Sequence, residues 1–287
     1  MKGIYIQTRM HKKPLESIAE REIRRYNNGR LGAALDRISI EEPLEIRLSY
    51  NAAHGVYRTM SLAVTMRTPG DDASLAKGFL FTEGITSDHD DINSISQVED
   101  NIVLITLGEN VTFDADQHRR NFYTTSSCGV CGKASIDSIH SDTQYLPWKS
   151  TISVCADVIL SLPSALENVQ NAFSMTGGAH ACAIFDEGGS LLSFSEDVGR
   201  HNAMDKLIGG QTTIPLHNHI VLVSGRASFE LVQKASKAGI AIMVAIGAPS
   251  SLAIELAAEQ GMTLVGFVKK EKFNIYTGFE RISENNT

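Results

Sequence analysis

The pattern of apolar and polar positions changes along the chain, from alternation in the first half to continuous apolar runs in the second. Residues 45–50 and 61–67 alternate as half-buried strands do, and a turn near His54 and Gly55 separates them, so the two runs are predicted to pair. Residues 1–35 are polar and charged. A helix is possible over residues 15–26, but no apolar partner follows it, so we expect a flexible N-terminal arm.

The next segment combines strand patterns with one helix. The turn residues at 68–72 are expected to cap a helix from Ala73 to Glu83, which Gly84 closes. Residues 92–98 and 102–107 again have strand character, and a short polar loop joins them as a hairpin. This composition predicts a small α+β domain over residues 36–122.

From residue 123 onward, helices alternate with buried strands. A helix beginning near Ser153 is expected to be interrupted at Pro163 and to continue to Ser174, and a hairpin then ends near Ser195. After a helix over 203–208, apolar runs at 220–223, 240–246 and 262–268 are separated by helical patterns at 229–237 and 252–260. Residues 123–287 are therefore predicted to form an α/β domain with parallel strands, whose exit loops share one edge of the sheet.

Composition limits the classes of protein that fit. The 287 residues are 43% hydrophobic, which is ample for real cores, and the net charge of −7 argues against a general nucleic-acid binder. No apolar run is long enough for a membrane helix, and the first residues lack the apolar region of a secretory signal. We expect a cytoplasmic protein without a membrane or nucleic-acid partner, in which the four cysteines are reduced.

The strongest chemical signal is the cysteine pair Cys128 and Cys131. Small and polar residues surround the pair, Gly129 and Gly132 leave both thiols accessible, and Lys133 places a cation beside them. Nearby positive charge stabilises a thiolate. The sequence therefore predicts an exposed loop with a reactive thiol.

Three chemistries use such a pair. Structural zinc needs four ligands, and no second tight pair of cysteines or histidines is present, so zinc is disfavoured. A thioredoxin-like couple normally lies near the N-terminus after a first strand, which fits this mid-chain pair poorly. The third chemistry is a thiol that carries sulfur as a persulfide, assisted by the second cysteine. An inert pair also remains open.

The predicted sheet edge carries groups suited to an anion. Arg226 follows one strand in a Ser-Gly-Arg loop, and Ser250 stands before a helix, where phosphate is a natural ligand, although a serine there is most often only a cap. His180 lies in a Gly-rich passage and either satisfies a carbonyl or contacts a ligand. His201 lies in the polar run 196–202, and we interpret Arg200-His201-Asn202 as functional because four ionisable groups within six residues are difficult to explain as packing.

A basic turn follows the last core strand. Two interpretations of this turn are open. It is a basic turn that only contacts solvent, or it binds a nucleotide, with the base against an aromatic ring and the phosphates near the lysine ammonium groups. Its residues are Phe267, Val268, Lys269, Lys270, Glu271 and Lys272.

Taken together, these stretches resemble the FdhD family of formate dehydrogenase accessory sulfurtransferases over about residues 39–276. The motifs that carry the resemblance, besides the cysteine loop, are EEPL at 41–44, MRTPGDD at 66–72, GFLFTEG at 78–84, TGG with His180 at 176–180, EDVGRHN at 196–202, VSGRASFE at 223–230 and GAPSS at 247–251.

The resemblance implies a sulfur carrier that accepts sulfane sulfur from a cysteine desulfurase. It delivers this sulfur to the molybdenum cofactor, bis-molybdopterin guanine dinucleotide, before the cofactor enters formate dehydrogenase. By position, Cys128 would bear the persulfide with Cys131 as its partner, and residues 267–272 would contact the cofactor. The resemblance also implies a homodimer and a cytidine deaminase-like three-layer fold for residues 123–287. Weaker assignments from the loops themselves place cofactor phosphates at Arg226 and Ser250.

The sequence departs from the family and from the deaminases at identifiable positions. Cys182 stands where family members more usually carry a small residue, and we interpret it as a buried substitution. Deaminase chemistry needs a His-x-Glu motif and a proline before its cysteine pair, whereas Cys182 is two residues after His180 and Ser127 precedes Cys128. No metal site is therefore expected. The alternatives are a cofactor-binding chaperone without sulfur transfer and, less favoured, a zinc hydrolase.

Overall fold

A computed structural model describes residues 17–53, 55–115 and 144–284. The first described element is an antiparallel hairpin of strands β1 (Ile18–Asn27) and β2 (Arg30–Ser39), which form a two-stranded sheet. Residues 18–26 of the helix considered possible over residues 15–26 form a strand instead, and residues 18–35 of the predicted arm lie in this hairpin. The reason is the Asn28-Gly29 turn, where φ values of 48° and 83° give the left-handed backbone that a tight hairpin requires.

A four-stranded sheet forms the core of the first half. It comprises β3 (Glu42–Ala53), β4 (Val56–Arg67), β5 (Ile92–Glu99) and β6 (Ile102–Leu107), in the order β4-β3-β6-β5. Helix α1 (Asp72–Thr82) packs on the buried face of the sheet. The pairings of β3 with β4 and of β5 with β6 are antiparallel, so both predicted pairings are confirmed.

A six-stranded sheet forms the core of the second half. Its order is β13-β12-β11-β10-β8-β9, with β8 (His180–Phe185), β9 (Leu191–Asp197), β10 (Ile220–Val223), β11 (Ile242–Ala245), β12 (Thr263–Lys269) and β13 (Lys272–Thr277). Strands β10, β11 and β12 are parallel, as predicted, because helices return the chain between them. Buried apolar clusters cover both faces of the sheet.

The remaining helices and strands surround this sheet. The helices are α2 (Ala156–Glu167), α3 (Asn171–Thr176), α4 (Arg200–Gly209), α5 (Phe229–Lys237) and α6 (Ser251–Glu259), and the short strands β7 (Val154–Cys155) and β14 (Ile282–Ser283) pair with each other. The structure is thus mixed α/β with several sheets, which confirms the broad class predicted. None of the helices in the described ranges has the length and apolar character needed to cross a membrane.

The expected interruption at Pro163 is wrong, because this proline lies inside α2. A proline removes one helix hydrogen bond and disfavours the preceding turn. Leu162 and Leu166 on either side of it are fully buried, so packing against the sheet keeps the helix continuous. The chain instead leaves the helix after Glu167 and begins a separate short helix, α3.

Candidate functional site

Two loops and the last residues of β12 meet at the edge of the six-stranded sheet where its parallel strands end. The loop after β10 and the loop after β11 are joined by hydrogen bonds from Gly247 N–H to the Gly225 carbonyl (2.9 Å) and from Ser250 N–H to the Ala227 carbonyl (3.0 Å). Phe267 N–H donates to the Gly247 carbonyl at 3.0 Å and attaches the end of β12 to the same group. The predicted convergence of the exit loops is therefore confirmed, and their backbones form one continuous surface.

Glycines allow these loops to approach so closely. A Cβ on Gly247 would lie 3.0 Å from the Gly225 carbonyl oxygen, and one on Gly266 would lie 2.9 Å from the Pro249 ring. Both separations leave no room for a larger side chain without a shift of backbone or ring. Gly247 and Gly266 therefore allow the close packing of backbones at this edge.

The side chains of the loops divide into structural and exposed groups. Ser224 Oγ accepts a hydrogen bond from Ala181 N–H (2.9 Å), which fixes the loop to β8. Ser250 is the N-cap of α6, where its hydroxyl accepts a hydrogen bond from Ala253 N–H (3.3 Å), so the capping interpretation is confirmed. Ser250 is nevertheless exposed to solvent. Arg226 is exposed beside them. This edge presents a guanidinium group and a helix N-terminus to solvent, a combination that favours anions.

The basic turn extends beyond this edge as the hairpin between β12 and β13. Lys269 pairs with Lys272 across the turn, and all four residues from Lys269 to Lys272 are exposed. Phe267 is 43% exposed and has a φ of 54°, an unusual backbone for an aromatic residue, which turns its ring out of the strand. Val268 is 2% exposed and packs in the core, so its side chain is structural.

His180 opens β8 beside the same loops. A Cβ on Gly225 would lie 3.4 Å from its Nδ1, which shows how closely the loop passes the imidazole. Partial burial lowers the pKa of His180, and electrostatic interactions with Arg200 and His201 lower this pKa further. The imidazole is therefore neutral near pH 7 and able to accept or donate a hydrogen bond.

His201 faces Glu230 rather than the loop backbone. The two residues lie in the first turns of α4 and α5, and His201 Nε2 is 3.8 Å from Glu230 Oε2. The pKa of Glu230 is lowered to about 2, and the largest cause is its interaction with the His201 imidazole. The reasoning from sequence did not select Glu230 as a site residue; its position shortly after the loop that follows β10 was the available signal.

Three side chains of the polar run at 196–202, those of Glu196, Asp197 and Asn202, make structural contacts. Glu196 accepts hydrogen bonds from Ala172 N–H and Phe173 N–H (both 2.9 Å) at the beginning of α3. Asp197 is fully buried, accepts from Thr68 N–H (3.1 Å) and lies 2.8 Å from Lys206 Nζ. Asn202 binds the Met66 carbonyl and Thr65, so these side chains connect the two halves of the protein. Arg200 and His201 remain at the edge of the candidate site.

The predicted reactive cysteines, Cys128 and Cys131, lie outside the described residues. Of the other two, Cys182 is buried as predicted, and burial raises the pKa of its thiol, which makes it a poor nucleophile. Cys155 is half-buried at the beginning of α2. Within residues 17–53, 55–115 and 144–284, no three His, Cys, Asp or Glu side chains are grouped to hold a metal ion.

Comparison with known proteins extends these observations. The model of the FdhD/NarQ family matches residues 40–283. A protein of Mycolicibacterium paratuberculosis named sulfur carrier protein FdhD is 43% identical over 280 residues, covering 93% of this chain and all of the relative. A protein of the same name from Saccharolobus solfataricus is 42% identical over 250 residues, covering 86% of this chain and 91% of the relative.

A solved structure shares the fold. The crystal structure of a candidate formate dehydrogenase accessory protein from Desulfotalea psychrophila superimposes with a TM-score of 0.68 and 22% sequence identity, covering 93% of this chain and all of the other. At this identity the likeness bears on the fold alone. The family match and the relatives, by contrast, are extensive in sequence, and from them it follows that the chain belongs to the FdhD/NarQ family.

Proposed function

We propose that this protein carries sulfur from a cysteine desulfurase to the molybdenum cofactor, bis-molybdopterin guanine dinucleotide, before the cofactor enters formate dehydrogenase. The observation that carries the proposal is the family match over residues 40–283, a range that contains Cys128 and Cys131. The relatives reported above are named as sulfur carriers. We also propose that it is a cytoplasmic sulfurtransferase and acts as a homodimer whose larger domain has a cytidine deaminase-like fold.

The first chemical step is a thiol exchange. The Cys128 thiolate attacks the outer sulfur of the desulfurase persulfide, a new S–S bond forms on Cys128, and the desulfurase cysteine departs as a thiolate. No net oxidation occurs, because the sulfane sulfur moves with its bond. The Cys131 thiolate then attacks Sγ of Cys128, a Cys128–Cys131 disulfide forms, and the outer sulfur leaves as sulfide for the cofactor, so that the cysteine pair supplies the two electrons the sulfur gains.

The sheet edge supplies the surface on which the cofactor binds as substrate. The phosphates of the cofactor are anions, and positive charge is present at this edge. It comes from Arg226, from the N-terminus of α6 at Ser250 and from the lysines at 269, 270 and 272. The exposed ring of Phe267 offers a face for a base, and the neutral His180 offers a hydrogen bond. His201 contacts Glu230 at the border of this surface.

Intact-protein mass spectrometry tests sulfur transfer directly. After incubation with a cysteine desulfurase and cysteine, the parent protein gains mass in multiples of sulfur, and Cys128→Ala does not. Cys155→Ala is the matched control, a half-buried cysteine outside the pair, and is expected to load as the parent does. Loading that survives Cys128→Ala contradicts the assignment of the carrier.

A chaperone that binds the cofactor without moving sulfur is the second candidate function. The specific observation in its favour is that the anion-binding edge is assembled from described residues remote in sequence from the cysteine pair. A chaperone would support formate dehydrogenase maturation after loss of both Cys128 and Cys131, whereas a sulfur carrier would not. Complementation with the double variant therefore separates the two functions.

A further inference from the structure

Three helices begin side by side along the candidate site. Strand β9 ends at the same edge of the six-stranded sheet as β10, because Asp197 at its end pairs with His180 at the start of β8, and β8 runs antiparallel to β10. Helix α4 follows β9, α5 follows β10 and α6 follows β11, and all three bury residues in one apolar cluster. The first turns of these helices therefore lie at the edge where the cofactor is proposed to bind.

Two side chains from the adjacent helices α4 and α5 form a pair at this edge. His201 Nε2 is 3.8 Å from Glu230 Oε2, and the two side chains are 25% and 17% exposed. This separation exceeds the roughly 2.7–3.2 Å of an N–H···O hydrogen bond. Nε2 is enclosed and has no hydrogen-bond partner in the part of the chain that the structure describes. A small closing movement would satisfy it, and contacts of this kind commonly tighten when a ligand binds.

The charge of Glu230 decides which ring nitrogen of His201 carries the proton. Because the pKa of Glu230 is about 2, its carboxylate is ionised near neutral pH, and its oxygens accept hydrogen bonds but donate none. Nε2 therefore carries a hydrogen where it faces this carboxylate. In a neutral imidazole only one nitrogen is protonated, so Nδ1 then has the free lone pair. The pair thus provides Nδ1 as a hydrogen-bond acceptor.

An acceptor complements the other groups at this edge, which donate. Arg226, the lysines at 269, 270 and 272 and the helix N-termini supply N–H donors, which suit the phosphates of the cofactor. The guanine and pterin rings of the cofactor share an amino-oxopyrimidine ring, which itself carries N–H donors. These ring donors need an acceptor, and Nδ1 of His201 supplies one.

We propose that Glu230 is a positioning residue that keeps the proton of His201 on Nε2, so that Nδ1 accepts a hydrogen bond from a ring N–H of the bound cofactor. This inference rests on the proposed function for the identity of the ligand and adds Glu230 to the residues that select it. The carboxylate repels phosphate, so the phosphates lie toward Arg226 and the ring lies toward His201.

Isothermal titration of the full-length protein with three probes tests the contact of His201. The probes are guanosine monophosphate, neopterin and inorganic pyrophosphate. His201→Ala weakens the binding of a ring-containing probe about tenfold, as expected for one lost hydrogen bond. Pyrophosphate has no ring, and its affinity is unchanged. The ring-containing probe that is weakened identifies the ring that His201 contacts.

Glu230→Gln separates positioning from a general effect on the fold. The glutamine amide is able to donate to Nε2, which allows the ring proton to move to Nδ1 and removes the acceptor. The ring-containing probe is bound at least about threefold more weakly. Pyrophosphate is bound no more weakly, because a negative charge has been removed, whereas a disturbed fold would weaken both. Glu187→Gln, on the exposed turn of the β8–β9 hairpin, is the matched control and leaves all three affinities unchanged.

Nitrogen-15 NMR of the histidine-labelled protein, at a pH above the usual histidine pKa of about 6.5, detects the position of the proton directly. The hydrogen is expected on Nε2 of His201 in the parent and on a mixture of both nitrogens in Glu230→Gln, and His201→Ala assigns the signal. A hydrogen on Nδ1 in the parent overturns the proposal. So do ring-probe affinities that either substitution leaves unchanged, equal weakening of pyrophosphate, and a parent that binds neither ring-containing probe.

Sulfur loading at Cys128 is measured on the same samples, so that this proposal and the sulfur carrier fail separately. Loading precedes delivery to the cofactor, so Glu230→Gln is expected to load as the parent does. A parent that acquires no sulfur but shows the probe affinities described refutes the sulfur carrier and supports the positioning of His201. Normal loading with affinities insensitive to both substitutions refutes the positioning and leaves the sulfur carrier standing.

Discussion

Glu230 and His201 show how one residue pair at the sheet edge depends on the elements that hold it. Each residue lies in the first turn of its helix, and the carboxylate is also stabilised there by the Ser228 side chain and by the backbone N–H of Glu230 itself. These contacts favour the ionised acid. The Glu230 carboxylate therefore holds a negative charge beside His201, at the border of a surface that is otherwise cationic.

The low pKa of Glu230 makes its contribution to stability depend on pH. Because its pKa falls from 4.5 unfolded to about 2 folded, the contribution is complete above about pH 5 and is lost as pH falls toward 2. We expect Glu230→Gln to lower the free energy of unfolding by about 1 kcal/mol at pH 7, after allowance for solvent screening, and by less at pH 3.

Urea denaturation at pH 7, 5 and 3 measures this difference. Glu187→Gln, on the exposed turn of the β8–β9 hairpin, is the control for loss of a carboxylate in general. A Glu230→Gln effect that is constant over the whole range would show that the charge of Glu230 is not involved.

Among the elements, α1 and α4 make the closest contact between the two halves. A Cβ on Gly209 would lie 1.9 Å from the Ser74 carbonyl oxygen, and one on Gly78 would lie 1.9 Å from the Asp205 carbonyl oxygen. The two helices therefore touch through their backbones. This contact explains why the motif that begins at Gly78 has glycine there, which the sequence alone did not reveal.

Gly209→Ala is expected to force α1 and α4 apart. The clashing atoms belong to backbone and cannot rotate away, so we expect a loss of about 2 kcal/mol in the free energy of unfolding, net of the better helix propensity of alanine. Gly188→Ala, at an exposed turn where the nearest atom is a side-chain oxygen at 3.4 Å, should change stability by much less. Equal effects of the two substitutions in urea denaturation would refute the close contact.

At the scale of the whole molecule, two buried ion pairs lie between the halves. Lys206 Nζ is 2.8 Å from Asp197 Oδ2 and donates to the Thr68 carbonyl (2.8 Å). Lys234 Nζ lies 2.9 Å from Asp205 and also reaches Thr82 and Glu83 of the first half. Buried charges with several partners impose a specific arrangement, because each displaced partner leaves a charge without compensation.

Lys206→Met is expected to destabilise the whole protein. The substitution keeps most of the apolar stem but leaves the Asp197 carboxylate buried without its cation, which costs about 3 kcal/mol. The measurement is the free energy of unfolding in urea, with Lys149→Met, an exposed lysine, as the control. A loss below about 1 kcal/mol would mean that the N–H donors of Thr68 and Gly199 satisfy Asp197 by themselves.

Local patterns in the sequence determined most of the elements. Alternation predicted the pairing of β3 with β4, and apolar runs between helices predicted the parallel order of β10, β11 and β12, because strand burial and crossover handedness are encoded locally. The same rules placed Arg226 and Ser250 at one edge. Residues 18–27 were one exception, since their charged composition hid a hairpin that the Asn28-Gly29 turn specifies.

Only the tertiary structure decided which polar residues are structural. Asp197, Asn202, Lys206 and Lys234 find their partners more than 100 residues away in the first half or on a neighbouring helix, and no local pattern encodes such a distance. The sequence by itself therefore determined the family resemblance, the elements and the edge of the sheet. The division of its charged residues between packing and a ligand surface depended on long-range contacts, which exist only once the two halves are folded together.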